Sequence, residues 1–164
     1  MSDRRAAAVL FLLVMVVGGA ALLTPTLQDG PLTSLSLLIT RSSEWVLGFL
    51  GVPVAREARA LYSPDGVFGM RIDNDCNGAW AHLVFLAGVL AYPTAWRARM
   101  LGAAVGTLVL FLVNLLRVTS LYLIGVHAPA FFRATHVYVW QFLIIAFALL
   151  LFVVWVDAVA DRPA

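Results

Sequence analysis

Cys76 is the one cysteine of the 164-residue chain, and it follows Asp73-Asn74-Asp75 where a charged stretch gives way to the apolar run opened by Asn77-Gly78-Ala79-Trp80. A single cysteine has no internal disulfide partner, so a Cys-x-x-Cys redox pair and a thiolate zinc cluster are both excluded. Free cysteine ordinarily packs as a small hydrophobe, and a catalytic reading needs a base and a positive group beside it. Arg117 lies inside a long apolar run with Asn114 three residues before it, where the two share a helical face and Asn114 can orient the guanidinium. His136 follows Thr135 at the start of the last apolar run. A thiol at a helix start is helped towards thiolate by the helix dipole, and an imidazole in reach can take its proton and later return it to a departing amine. A guanidinium at low dielectric can stabilise the oxyanion of a tetrahedral intermediate. The sum is a cysteine acyl-transfer site built from Cys76, Arg117 and His136.

The remaining polar residues qualify that picture. Asp73 and Asp75 raise the thiol pKa by repulsion, and Asn74 or Asp75 can cap the helix that follows. His82, six residues past Cys76, points elsewhere on the same helix and reads as packing or a proton relay. His127, in a loop near Pro129, is a rival base. His136 is preferred because Thr135 can cap a helix starting there and fix the ring.

The elements that must bring these groups together are membrane elements. The chain is 62% hydrophobic and 12% charged, with a mean hydropathy of +0.94, far from an ordinary soluble domain. The expectation is an all-α integral membrane protein with about four transmembrane helices, an interfacial helix and a small extracytoplasmic hairpin. Spans are expected near residues 6–24, 77–94, 100–125 and 136–157, with the interfacial helix at 32–52 and the outer hairpin or loop at 55–75, in a single domain covering 1–164. The first run reads as an uncleaved anchor and not a secretory signal, since it is long and Ala-Leu-Leu-Thr-Pro-Thr offers no small-x-small cleavage site.

Arg4, Arg5, Arg97 and Arg99 flank short connections and are placed inside by the positive-inside tendency. That placement requires an even number of crossings between Thr24 and Asn77. Zero is the simplest number, because Arg41-Ser42-Ser43-Glu44 interrupts the 31–54 stretch and charges are costly in hydrocarbon. Trp45 and Phe49 then lie on the apolar side of a helix at the outer interface. Arg117, sixteen residues past Leu101, comes about 24 Å into a core of about 30 Å, near its outer end. Cys76 and His136 open spans at that same end. Ser63-Pro64-Asp65-Gly66 supplies a tight turn between Leu61-Tyr62 and Val67-Phe68. All eleven basic residues are arginine and are scattered, leaving no stripe for nucleic acid. No metal constellation or nucleotide loop is present, so no cofactor is expected.

The ordered set of Cys76-Asn77-Gly78 entering a helix, Asn114-Leu115-Leu116-Arg117, and His136 before a final span resembles the exosortase/archaeosortase family of membrane transpeptidases. The resemblance runs from about Asp73 to Trp155. It implies a multi-pass enzyme of the bacterial inner membrane with its site facing the periplasm. Cys76 matches the nucleophile, and Arg117 and His136 match the family's arginine and histidine, with Asn77, Asn114 and Thr135 in support. The implied partner is the C-terminal sorting signal of secreted proteins, a short motif followed by a transmembrane helix and a basic tail, with an amine or water as acceptor. The small size looks most like the short exosortase branch paired with IPTL-type signals. Asn77 departs from the small residue that many members carry after the cysteine. The alternative from another class is a non-catalytic assembly or anchoring subunit of an envelope complex, in which Arg117 and His136 only satisfy polar groups between helices. A small transporter or channel ranks last, since the polar residues gather at one face.

Overall fold

The computed structural model describes residues 2–160. Helix α1 (Ser2–Leu22) is the first apolar run, and it ends where Thr24 turns its hydroxyl back onto the Ala21 carbonyl at 2.7 Å and Pro25 follows. A short α2 (Pro25–Leu27) and a π-helical turn at Gln28–Leu32 lead into α3 (Thr33–Phe49). Gly51, at φ +73°, stops α3, and the Val52 N–H closes back onto the Leu47 carbonyl at 2.9 Å.

A three-stranded antiparallel sheet follows, with β1 (Ala55–Glu57), β2 (Ala60–Tyr62) and β3 (Gly69–Arg71) in that spatial order. The turn anticipated at Ser63–Gly66 forms, with the Gly66 N–H on the Ser63 carbonyl at 2.9 Å and Gly66 at φ +72°. The first turn escaped the sequence reading because Ala58 takes the left-handed region, at φ +48°, with no glycine to mark it. The single hairpin expected over 55–75 is therefore a three-strand meander.

A 3-10 turn at Asn74–Cys76 leads into α4 (Ala79–Ala91), then α5 (Trp96–His127) and α6 (Pro129–Ala134). A π turn at Thr135–Val139 joins α6 to α7 (Trp140–Ala160). Among the described residues three stretches, Arg4–Leu22, Trp96–His127 and Pro129–Val159, are long and apolar enough to cross a membrane, and α4 is a shorter apolar helix. The last two are longer than expected, since the final helix begins seven residues before His136 and α5 starts four residues before position 100. Helix α3 is not among the three candidates.

Two hydrophobic cores are stacked along α5. One joins Ala81, Phe85 and Val89 of α4 to Leu110 of α5 and Ile144 and Ala148 of α7. The other joins Ile39 and Leu47 of α3 to Leu61 and Ile72 of the sheet region and to Val118 and Tyr122 of α5. At 32 residues α5 is about 48 Å long, well beyond a hydrocarbon core of about 30 Å, so one end of it carries the cap of α3 and sheet. The Tyr122 hydroxyl seals this joint, within reach of the Pro53 and Tyr62 carbonyls at 3.0 and 3.1 Å. Gly18 and Gly19 at the end of α1 pack against Leu83 and Trp80 at the start of α4, so the segment from Thr24 to Asn77 leaves and returns at one end of the bundle. Asn114 and Arg117 fall on α5 between the two cores.

Candidate active site

The turn that carries Cys76 is held from both sides by asparagines seated on the start of α3. Asn74 Nδ2 donates to the Gln28 carbonyl at 2.9 Å and to Gln28 Oε1 at 2.6 Å, while its Oδ1 accepts from Ser36 Oγ at 3.1 Å. Asn77, fully buried, donates from Nδ2 to the Leu32 carbonyl at 3.1 Å and to Ser36 Oγ at 3.2 Å. Its Oδ1 accepts the Ala79 N–H at 3.0 Å. Capping of α4 therefore belongs to Asn77, whereas Asn74 is spent on α3 and Asp75 makes no cap bond. Between Asn77 and the helix, Gly78 sits at φ +80°, and a Cβ there would come within 3.1 Å of the Asn114 amide carbon. Glycine is needed at that joint on both counts. Ser36 belongs to a polar stripe on α3, Ser36, Thr40 and Ser43, that is buried against the rest of the molecule.

His136 reaches the sulfur from the last helix, with Nε2 3.1 Å from Cys76 Sγ. Its ring is oriented by Phe132, one turn earlier, whose plane is 22° from parallel at a centroid separation of 5.8 Å. Phe132 is in turn braced edge-on by Phe68 from the β2–β3 loop at 5.2 Å, and Phe68 packs edge-on against Tyr122. Thr135 makes no capping hydrogen bond, because the helix runs straight through it from Pro129. The role expected of Thr135 is filled by aromatic stacking. No aromatic periodicity marks Phe132 in the sequence, although its spacing of four from His136 is the one signal that could have found it.

Arg117 is 2% exposed, and it lines a cavity of about 240 Å³ together with Cys76, His136, Phe132, Gly69, Met70 and Arg71. Its Nη2 donates to Gln141 Oε1 at 3.4 Å, its Nε has no partner, and no carboxylate pairs with it among the described residues. Gln141 was not legible in advance. In an α-helix it would lie about 140° around from His136, and the π turn at Thr135–Val139, with more residues per turn, narrows that angle. Asn114 shares the Arg117 face yet makes no hydrogen bond to it. Its amide is fully buried beneath Gly78 with neither atom partnered.

The other histidines lie apart from the sulfur. His82 sets its two ring nitrogens 2.9 Å from the Gly78 carbonyl and 3.2 Å from the Thr107 carbonyl, tying α4 to α5 beside a separate apolar groove. His127 is exposed at the end of α5 and does not line the cavity. A larger cavity of about 710 Å³ opens at the far end of α5, near Tyr92, Arg97 and Trp155, and is lined by none of Cys76, Arg117 and His136.

Electrostatically the thiol is pulled in two directions. Burial pushes the Cys76 pKa up from its ordinary value, the Arg117 guanidinium draws it down, and Asp75 and Asp73 add to the rise. Asp73 is itself engaged by Arg71 at 2.8 Å. Burial leads and favours the neutral thiol, with an imidazole nitrogen within hydrogen-bond reach of the sulfur. A guanidinium removed from water with no counter-ion is expensive, and a negative charge arising in the cavity would offset that cost. The arrangement can deprotonate a sulfur at the moment of attack and stabilise an anion beside it.

A family model of transmembrane exosortases, Exosortase_EpsH, matches residues 2–155. The chain belongs to the transmembrane exosortase family. No curated protein and no solved structure matches it. Membership makes this a multi-pass membrane protein, and the family implies a transpeptidase whose substrates carry sorting signals. The match covers nearly the whole chain, including α1 and α3, where the resemblance read from motifs ran from near Asp73 with looser similarity in the hairpin region before it.

Proposed function

We propose that this exosortase is a cysteine transpeptidase that cuts C-terminal sorting signals at the outer face of the bacterial inner membrane, with Cys76 as nucleophile, His136 as acid–base and Arg117 as oxyanion partner. Cys76 Sγ attacks the scissile carbonyl carbon as its proton passes to His136 Nε2, and the carbonyl electron pair becomes an oxyanion facing Arg117. Collapse breaks the C–N bond, and the leaving amine takes the proton back from His136. The thioester left on Cys76 passes its acyl group to an acceptor amine or to water, whose proton returns through His136, and the thiol is regenerated. Stabilisation of such an oxyanion by one donor is typically worth about 3 kcal/mol.

The observation that carries this reading is the 3.1 Å approach of Cys76 Sγ to His136 Nε2 in a cavity walled by an uncompensated, buried Arg117. The outward orientation rests on Arg4, Arg5, Arg97 and Arg99, which lie on the connections remote from the site. The deciding experiment replaces Cys76 by Ala and by Ser in the native host and follows cleavage of secreted proteins that end in a short motif, an apolar helix and an arginine-rich tail. Cys76→Ala is expected to abolish processing while the protein remains in the membrane. Normal processing by that variant would overturn the assignment.

A further inference from the structure

One wall of the Cys76 cavity is an open sheet edge. The pairing of β2 with β3 sets which backbone groups are spent and which are free, because bonded and unbonded residues alternate along an antiparallel strand. The Ile72 N–H donates to the Arg59 carbonyl at 2.8 Å, and the Phe68 carbonyl accepts from the Ser63 N–H at 2.8 Å. With Leu61 opposite Met70, the main-chain groups of Phe68, Met70 and Ile72 therefore face β2. Those of Gly69 and Arg71 face the other way. Among the described residues no N–H or C=O of Gly69 or Arg71 has a partner on that side.

The two ends of the sheet are treated differently. Strand β1 is packed against α3, whereas β3 presents Gly69, Met70 and Arg71 to the cavity that also holds Cys76, Arg117 and His136. Folded proteins usually cover or blunt an edge strand, since its unpaired groups recruit another strand. Here the edge opens onto a nucleophile. Gly69 adds no side chain to obstruct it, and the Tyr62 ring, 2.6 Å from where a Cβ would stand, occupies the space a side chain would need.

We propose that an extended segment of the polypeptide substrate adds to the free edge of β3 as a fourth strand, hydrogen-bonded to the main chain of Gly69 and Arg71, and is thereby delivered to Cys76. The inference rests on the cysteine-peptidase reading given above. Main-chain pairing holds a peptide straight without regard to sequence, and selectivity then falls to the alternate side chains that point into the cavity. An added strand exchanges bonds at every second residue, so every second substrate amide matters and the intervening ones do not.

The test uses the full-length protein in detergent and a peptidyl electrophile, acetyl-tetra-alanyl chloromethyl ketone. Its methylene carbon forms a bond to Cys76 Sγ as chloride leaves and the thiol proton passes to His136 Nε2. Labelling is read by intact-protein mass, with chloroacetamide as a small reagent that needs no strand. N-methylation of the peptide is expected to slow labelling by roughly tenfold or more at alternate residues and by less than about threefold at the residues between. In Arg71→Pro, which removes an N–H from the free edge alone, the peptidyl reagent is expected to lose its advantage over chloroacetamide, and the difference from Arg71→Ala isolates that N–H from the side chain. Equal effects of N-methylation at all positions, or a peptidyl reagent that labels the wild-type protein no faster than chloroacetamide, would overturn the proposal. Should Arg71→Pro not fold, the alternation measured on the wild-type protein still decides. Loss of processing in Cys76→Ala without that alternation would sink strand addition and leave the peptidase reading standing.

Discussion

Phe132 lies over the imidazole of His136, ring centroids 5.8 Å apart and planes 22° from parallel, and no hydrogen bond holds the other ring nitrogen among the described residues. Many cysteine and serine acyl-transfer sites orient the histidine with a carboxylate or amide. A stacked aromatic ring sets the plane without adding charge, which suits a site that already carries a buried guanidinium. Aromatic pairs of this kind are worth about 0.5–1.5 kcal/mol. Phe132→Ala is therefore expected to lower the processing rate by roughly 3- to 10-fold, and Phe132→Tyr to retain most of it. Cleavage kinetics of a host substrate in membranes check both, and a Phe132→Ala protein as fast as wild type would show the ring is not positioned by stacking.

The titration of Cys76 follows from its neighbours. Because burial outweighs the pull of Arg117, the midpoint of iodoacetamide alkylation against pH is expected above the ordinary cysteine value. The thiolate is the charged form, so removing a positive neighbour raises the midpoint and removing a negative one lowers it. Arg117→Gln should move it up and Asp75→Asn down. Alkylation rates across a pH series, read by mass, give the three midpoints directly, and an Arg117→Gln midpoint below that of wild type would contradict the geometry.

Among the described residues, Gln141 supplies the one hydrogen bond that Arg117 makes to another side chain. Gln141→Leu leaves the guanidinium unguided, at a cost of about 1 kcal/mol in transition-state stabilisation. The expected result is a kcat reduced by roughly 5-fold with KM little changed, since the oxyanion exists only in the transition state. Gln141→Glu should be worse, because a carboxylate there pairs with Arg117 and competes with the oxyanion. A kcat for Gln141→Glu above that for Gln141→Leu would remove Gln141 from this role.

Asn77 is the clamp under the Cys76 turn. Asn77→Ala removes the side-chain donor to the Leu32 carbonyl and to Ser36 Oγ, which keeps Asn74, and the acceptor of the Ala79 N–H, all in a buried setting. The expected loss is about 2–4 kcal/mol of stability. It should appear as earlier thermal unfolding in detergent together with faster reaction of Cys76 with a bulky methanethiosulfonate reagent, as the turn loosens from α3. Unaltered unfolding would mean that the α3 stripe does not hold the turn.

Much of the membrane architecture was readable residue by residue. Apolar runs declare helices because the cost of exposing backbone in lipid is local and additive along the chain. The interruption at Arg41–Glu44 marked α3 as a helix of another kind, and Ser63–Gly66 declared its turn by chemistry alone. The Ala58 turn could not be seen, since a non-glycine residue enters the left-handed region only when strand pairing on both sides makes it worthwhile. The chain extensions of α5 and of the last helix were missed for a related reason. The last helix is carried back beyond His136 by Pro129–Ala134, where Phe132 packs on Phe68 of the β2–β3 loop.

Sequence by itself determined which groups could react, Cys76, Arg117 and His136, because side-chain chemistry belongs to a residue wherever it lies. Tertiary structure alone decided what positions them. The asparagine clamp joins Asn74 and Asn77 to Ser36 across about forty positions of chain, Gln141 meets Arg117 from the last helix, and the register of β3 turns the main-chain groups of Gly69 and Arg71 away from β2 at the cavity that Cys76 lines. Each depends on which surfaces meet once the two cores have packed, and hydrogen-bond partners chosen at that stage leave no periodic trace in the order of residues.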